Sequence, residues 1–189
     1  MARLNTRKAI LEAALKLFIE RGFNACSVQD ICDEARVPKG SFYNHFKRKE
    51  ALATEILAEY AKGTTDRSIL TKPGMPALTR LKKHFAALNE YYSRCNDGCL
   101  VGKFMAEVSE HTPRIRERLL SVLNFWGEQL AAAIAQGQAE GAIRKDIKAD
   151  DLAAFLIDSY EGALLRMRVE KSPRALKSFV KIVFSSIVA

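Results

Sequence analysis

Hydrophobic residues recur along this chain at spacings of three and four, the period that places them on one face of a helix. The first such stripe lies between about Thr6 and Arg21, and its members are Ile10, Leu11, Ala14, Leu15, Leu17 and Phe18. Thr6 suits the N-cap of this helix and Gly22 its C-terminal stop. The pattern therefore predicts an amphipathic first helix of about four turns.

Two shorter helical patterns follow the first. Ser27 and Asp30 have the spacing of a capping box, which predicts the start of a second helix. Its buried face is expected to contain Val28, Ile31, Cys32 and Ala35. After a turn at 36–38, Pro38 or Lys39 starts a very short third helix. We expect a fourth helix from about 47 to 62.

The remainder of the chain also has a helical period. After a connection at 64–76, the pattern predicts longer helices at about 76–94, 98–110, 113–140, 149–169 and 173–188. No segment alternates as a half-buried strand does. The expected fold is all-α with about nine helices: an N-terminal domain at 1–63 with a helix-turn-helix motif at about 27–46, and a larger helical domain at 64–189.

The short third helix is the first candidate for chemistry. Phe42 and Phe46 are four residues apart and can share its buried face. The residues left to face outward are Lys39, Gly40, Ser41, Tyr43, Asn44 and His45. They offer hydrogen-bond donors, positions of close backbone approach and one aromatic ring, which suit a groove of phosphates and base edges.

Charge and composition narrow the class of protein. The chain has 189 residues, a net charge of +8 and a pI of about 9.4, a balance that favours a polyanionic partner such as nucleic acid. Residues 1–50 hold ten Lys or Arg against six Asp or Glu, and three of the ten, Lys47, Arg48 and Lys49, follow the third helix directly. No apolar run reaches the roughly 20 residues of a membrane span, and no secretory signal opens the chain, so we expect a cytoplasmic protein.

Residues 6–52 resemble the DNA-binding domain of the TetR family of transcriptional regulators. The resemblance rests on Ala13-Ala14, Leu17-Phe18, Gly22-Phe23, Ser27-Val28, Ile31, Ala35, Val37 to Tyr43, His45-Phe46 and Lys49 to Leu52. It implies a repressor that binds double-stranded DNA and requires no cofactor.

The resemblance also implies roles for individual residues. Lys39, Gly40 and Ser41 would approach base edges, and Tyr43, Asn44 and His45 would contact bases or phosphates, whereas Ser27 and Lys49 would hold phosphates.

In this family two copies of the chain bind a palindromic operator, so two reading helices must match the groove spacing. The last two helices, at about 149–169 and 173–188, would form the homodimer. The faces expected to take part contain Leu152, Phe155, Leu156, Ser159, Gly162, Ala163 and Arg166 in one helix, and Phe179, Ile182, Val183 and Ser186 in the other. The competing interpretation is that these faces are intramolecular core.

A second candidate site surrounds Cys99. If Asp97 caps the next helix, Cys99 lies in its first turn, where the backbone N–H groups and Lys103 favour a thiolate, although the Asp97 carboxylate opposes it. Cys95 could act as a resolving thiol. Residues 98–118 resemble a TetR subgroup that includes the repressor of N-ethylmaleimide reductase, in which a cysteine at the position of Cys99 responds to electrophiles and oxidants.

Other roles remain open for this region. Cys99 can equally be a small buried hydrophobe, and a non-covalent inducer can replace thiol chemistry. Tyr92, Phe104 and Trp126 are candidates for lining a ligand cavity, or they are ordinary core. A thiol enzyme that pairs Cys99 with His111 is the third alternative, and no spacing supports it. The cysteines and histidines have no zinc-site spacing, so no metal is expected.

Overall fold

The structure, a computed structural model, describes residues 2–63, 67–95 and 98–189, and the side chains of residues 5–62, 67–94 and 98–189. Apart from one isolated antiparallel bridge between Ile143 and Val188, the described residues form helices, turns and connections. The helices are α1 (Ala2–Arg21), α2 (Val28–Ala35), α3 (Lys39–Tyr43), α4 (Lys49–Gly63), α5 (Ala77–Cys95), α6 (Leu100–Glu107), α7 (Pro113–Ala139), α8 (Ala149–Glu170) and α9 (Arg174–Ser186).

The all-α prediction is confirmed, with corrections at the helix ends. Thr6 is not an N-cap, since α1 begins at Ala2. The predicted connection contains a 3₁₀ helix, Arg67–Thr71. Helix α6 begins at Leu100, so Cys99 precedes this helix instead of lying in its first turn as predicted. The predicted cap Asp97 lies outside the described residues. No described helix has both the length and the apolar character needed to cross a membrane.

The chain packs as two compact units. The first consists of Met1–Ala61 and Leu100–Val122, so α6 and the start of α7 pack with the four N-terminal helices. The second consists of Lys62–Cys99 and Leu123–Ala189. The boundary expected at residue 63 did not anticipate that α6 would join the N-terminal helices, because helical periodicity shows which face is buried but not its partner.

The first unit has an aromatic core. Phe18, Phe23 and Phe104 form a triangle with ring centroids 5.6–5.7 Å apart. Since Phe104 lies in α6, this triangle fixes α6 on α1. Burial of three such rings contributes several kcal/mol to the unit, at about 25 cal/mol per Å² of apolar surface.

The second unit has its own aromatic core. Phe85, Tyr160 and Phe179 contact one another with ring centroids 5.1–5.3 Å apart, and the Tyr160 hydroxyl donates to Asn89 Oδ1 at 2.9 Å. These residues come from α5, α8 and α9. The chain end is secured by the Arg144 N–H, which donates to the Ile187 carbonyl at 2.9 Å. A separate hydrophobic core thus stabilises each unit.

Candidate functional site

The turn between α2 and α3 is held by local hydrogen bonds. The Asp30 N–H donates to Ser27 Oγ at 3.0 Å and the Ser27 N–H donates to Asp30 Oδ2 at 2.7 Å, which confirms the predicted capping box. These bonds lower the pKa of Asp30. At its other end α2 stops at Arg36, which adopts a left-handed conformation with φ 55°. Pro38 then precedes α3, so both ends of α2 are fixed by the local sequence.

The outward face of α3 is set by two buried phenylalanines. Phe42 is fully buried and Phe46 nearly so, with ring centroids 5.7 Å apart, as their spacing predicts. Lys39, Gly40, Tyr43 and Asn44 are exposed, and Ser41 and His45 are half-buried.

Two further features of the outward face of α3 favour contact with a partner: open space at Gly40 and a Tyr43 ring that is held by Phe42. A Cβ added to Gly40 would meet no described residue within 4 Å, so a partner can approach the backbone there. The exposed Tyr43 ring packs edge-on against Phe42 with centroids 5.3 Å apart, which limits its freedom before any contact forms. The surface therefore presents the six residues singled out from the sequence.

Lys49 occupies a different place from an outward phosphate contact. Its Nζ donates to the Phe23 carbonyl at 2.7 Å and to the Cys26 carbonyl at 2.6 Å, and lies 4.1 Å from the centre of the Phe23 ring. Burial lowers the pKa of this ammonium. Two of its three N–H donors thus hold the segment before α2, which leaves one for a phosphate.

The same segment is held from another side by α6. The Asn24 N–H donates to Glu107 Oε2 at 2.7 Å, and Gly22, with φ 87°, leaves the space that the carboxylate occupies. A Cβ at Gly22 would lie 1.8 Å from Glu107 Oε1. At the other end of α6, the Leu100 N–H donates to the Tyr60 hydroxyl at 3.4 Å. The α1–α2 connection is therefore attached to α6, which the sequence alone did not predict.

The residues predicted for sensing divide between the two units. Lys103 and Phe104 belong to the first unit, where both are buried, and Phe104 is part of the aromatic triangle. Cys99, Tyr92 and Trp126 are buried in the second unit, and the side chain of Cys95 lies outside the described residues. His111, which the thiol-enzyme alternative pairs with Cys99, is exposed in the first unit.

Cys99 has an acidic neighbour that the sequence reading missed. Cys99 is only 6% exposed, and its thiol hydrogen bonds with Glu161 of α8. Burial raises the pKa of Glu161 to about 7, and the Cys99 hydrogen bond acts in the opposite direction. Among the described residues Glu161 Oε2 has no hydrogen-bond partner. A usable signal was present, since Glu161 follows Ile157 by four residues and precedes Leu164 by three on the apolar face of α8.

Two polar side chains, His84 and Arg67, contact Trp126, the single tryptophan of the chain. The Trp126 Nε1–H donates to His84 Nε2 at 3.1 Å, and the Arg67 guanidinium lies 5.4 Å from the centre of the Trp126 ring. His84 is fully buried, and desolvation together with the charge of Arg67 lowers its pKa to about 4. His84 is therefore neutral at pH 7.

The predicted dimer faces of α8 and α9 are only partly exposed. Leu152, Leu156 and Val183 are buried in the second unit's own core. Phe155 is 57% exposed and Ile182 63% exposed, on either side of a groove of about 390 Å³. An exposed apolar patch of this kind marks an interaction surface more often than a monomer surface.

Comparison with family models gives two matches. Residues 10–56 match the model of bacterial regulatory proteins of the tetR family, and residues 77–183 match that of the tetracyclin repressor-like C-terminal domain.

Among curated proteins, the chain is 39% identical over 190 residues to the HTH-type transcriptional repressor DhaR of Mycobacterium sp. (strain GP1), covering 100% of this chain and 95% of DhaR. It is 29% identical over 182 residues to the transcriptional regulator AcuR of Cereibacter sphaeroides, covering 92% and 81% of the two chains.

Solved structures give the same fold. The regulatory protein TetR from Rhodobacter sphaeroides superposes with a TM-score of 0.86 at 29% identity, covering 96% of this chain and 98% of that one. The reduced form of Escherichia coli NemR superposes with a TM-score of 0.84 at 25% identity, covering 97% of both chains.

Proposed function

The chain belongs to the TetR family of bacterial transcriptional regulators, and on that premise we propose that it is a homodimeric repressor that leaves its operator when a small molecule binds in the second unit. The proposal assigns operator reading to α3, pairing of two chains to α8 and α9, and sensing to the buried polar groups around Cys99 and Trp126. As a regulator of chromosomal DNA it would act in the cytoplasm.

The outward face of α3 is the observation that carries the DNA-binding proposal. Lys39, Gly40 and Ser41 would approach base edges in the major groove, because Phe42 and Phe46 hold the opposite face in the core. Tyr43, Asn44 and His45 would contact bases or phosphates, and the Ser27 hydroxyl would contact a phosphate. For Lys49 we propose a bracing role, since its ammonium is already bonded to two backbone carbonyls.

Dimerisation would give α3 its affinity, since a single reading helix binds weakly. A palindromic operator requires two reading helices about 34–36 Å apart or a multiple of that spacing. The exposed Phe155 and Ile182, with Gly162 allowing close approach, favour α8 and α9 as the paired helices.

Regulation would follow from a shift between two conformers, one of which matches the operator spacing. Cys99 is the residue immediately before α6, and Glu107 is the last residue of α6. A ligand that moves residues near Cys99 would therefore act through the helix that holds Asn24. This route connects sensing to the segment before α2.

DNA binding can be tested on operator sequences recovered by selection from random duplexes. Lys39→Ala and Tyr43→Ala are expected to weaken binding about tenfold or more, while Lys83→Ala, at an exposed position of α5, leaves it unchanged. The Lys39 variant should also bind with a smaller salt dependence if Lys39 contacts a phosphate. Selection that recovers no preferred sequence would contradict the proposal.

A second regulatory mechanism is favoured by the hydrogen bond between Cys99 and Glu161. Glu161 would accept the thiol proton as the sulfur adds to an activated alkene such as N-ethylmaleimide. An S–C bond forms, the alkene π bond breaks, and the proton passes to the adjacent carbon. Loss of operator binding in the wild type but not in Cys99→Ser would support this mechanism, and equal loss in both would rule it out.

A further inference from the structure

The polar groups around Trp126 have donors that nothing in the described part of the chain satisfies. Trp126 donates to His84 Nε2, so the neutral imidazole carries its proton on Nδ1. His84 is 0% exposed, and its Nδ1 has no hydrogen-bond partner among the described residues. A buried N–H without an acceptor lowers the stability of the fold by about 1–3 kcal/mol. A bound ligand that supplies an acceptor to His84 Nδ1 would remove this cost.

Arg67 is the second such donor. Its Nε is buried without a hydrogen-bond partner among the described residues, while its guanidinium lies over the Trp126 ring. No carboxylate within the described ranges forms an ion pair with it. The electrostatic influence of Arg67 reaches Tyr92, Cys99 and His84, which places its charge among these buried groups.

The N–H groups of His84 and Arg67 favour a negatively charged ligand over a neutral or a positively charged one. Arg67 is half-buried and no ion pair joins it to another described residue, so a carboxylate would supply both a counterion and hydrogen-bond acceptors. A cationic ligand would meet the repulsion of Arg67. A neutral amide would offer one acceptor but no charge, and hydrogen bonds to charged groups are about twice as strong as neutral ones.

We propose that Arg67 and His84 form an anion-binding site beside Trp126, and that the inducer of this protein is a small organic carboxylate. Arg67 Nε and His84 Nδ1 donate to the carboxylate oxygens. Trp126 provides an apolar surface for the carbon chain of the ligand. The assignment rests on the proposed ligand-responsive repressor and specifies the chemical class of its ligand.

Trp126 makes the site observable without a label, since it is the chain's one tryptophan. The probes are straight-chain carboxylates from acetate to octanoate, with butyramide and butylamine as neutral and cationic counterparts of butyrate. At least one carboxylate is expected to change Trp126 fluorescence saturably below about 10 mM and to weaken operator binding over the same concentration range. The amide and the amine of the same length should have no effect.

The matched variants are Arg67→Gln and Arg94→Gln, the second at an exposed position of α5. Arg67→Gln should weaken carboxylate binding at least about tenfold while operator affinity and melting temperature stay near those of the wild type. Arg94→Gln should respond as the wild type does. His84→Phe, which removes the Nδ1 donor, should also weaken carboxylate binding.

Three outcomes would overturn the anion site: no carboxylate changes the fluorescence, the amide or the amine acts as well as the acid, or Arg67→Gln leaves carboxylate affinity unchanged. If Arg67→Gln melts early, His84→Phe serves as the deciding variant. Failure of the proposed repressor function is a separate result, because it would appear as absent operator binding before any probe is added.

Discussion

The Glu107 carboxylate accepts a hydrogen bond from the Asn24 backbone N–H at 2.7 Å, which joins the last turn of α6 to the segment that leads into the helix-turn-helix. The two residues are 83 positions apart in the chain. Lys49 bonds the carbonyls of Phe23 and Cys26 in the same segment. The approach to α2 is thus fixed by one acidic and one basic side chain from different helices.

Replacing Glu107 by Gln should loosen this connection. The charged acceptor becomes a neutral one, so we expect a loss of about 1 kcal/mol and faster amide exchange at Asn24. Hydrogen exchange read by mass spectrometry measures the change in the peptide that contains Asn24. Glu110→Gln, at an exposed position, is the control and should exchange as the wild type does. Equal protection in both variants would show that the Glu107 bond does not hold the segment.

Gly22→Ala should destabilise the first unit more than backbone strain alone explains. A Cβ at this position would overlap the Glu107 carboxylate, and its φ of 87° is unfavourable for alanine. Gly74→Ala is the matched control, since its φ is 73° but a Cβ there would come within 4 Å of no atom in the described part of the chain. Thermal melts of the two variants separate the contact from the strain. If both lose the same stability, the contact contributes nothing.

Lys49→Met tests whether this lysine acts as a brace. Methionine keeps an apolar stem near Phe23 but leaves two carbonyls without their donor, so we expect a loss of about 1–3 kcal/mol of stability. The salt dependence of operator binding should stay as in the wild type. Lys47→Met, at an exposed position, should behave in the opposite way if Lys47 contacts a phosphate: stability is kept and the slope of log K against log salt falls by about 0.9. A smaller slope for Lys49→Met would restore its direct phosphate role.

The buried Glu161 should make stability depend on pH. Its pKa is raised to about 7 in the folded chain from an ordinary value of 4.5, so the folded state binds the proton more tightly than the unfolded state does. The contribution of Glu161 to the free energy of unfolding should therefore be largest below pH 4.5. It should fall as the pH rises from 4.5 to about 7 and stay constant above that. The loss is at most a few kcal/mol, at about 1.4 kcal/mol per pKa unit.

Glu161→Gln isolates this contribution from that of His84, which has the opposite sign because its pKa is lowered. The difference in unfolding free energy between the variant and the wild type should grow in favour of the variant from pH 5 to pH 8. Denaturant melts at several pH values measure it. A difference that does not change with pH would mean that Glu161 is ionised at its ordinary pKa.

The apolar patch on α8 and α9 predicts the assembly state. Ile182→Asp places a charge on a side chain that is 63% exposed in the single chain, so the isolated chain should keep its fold. If α8 and α9 pair two chains, the variant should be monomeric and bind its operator much more weakly. Sedimentation measures the state, and Lys177→Asp, at an exposed position of α9, is the control. A dimeric Ile182→Asp would place the interface elsewhere.

Much of the fold was determined by the sequence itself. The spacing of Phe42 and Phe46 defined which face of α3 is buried, and Ser27 with Asp30 defined where α2 begins, because both depend on residues within one or two turns. The match of 6–52 to a known family rests on such local signals.

The tertiary structure alone decided which distant groups meet. In the folded chain Glu107 bonds to Asn24, and Lys49 bonds to backbone carbonyls. Glu161 contacts Cys99, and Arg67 lies over the ring of Trp126. Helical periodicity shows that a position faces inward, but not which side chain of another helix it meets there. Packing of the aromatic cores sets those pairings, and with them the hydrogen bonds and pKa values on which the proposed regulation depends.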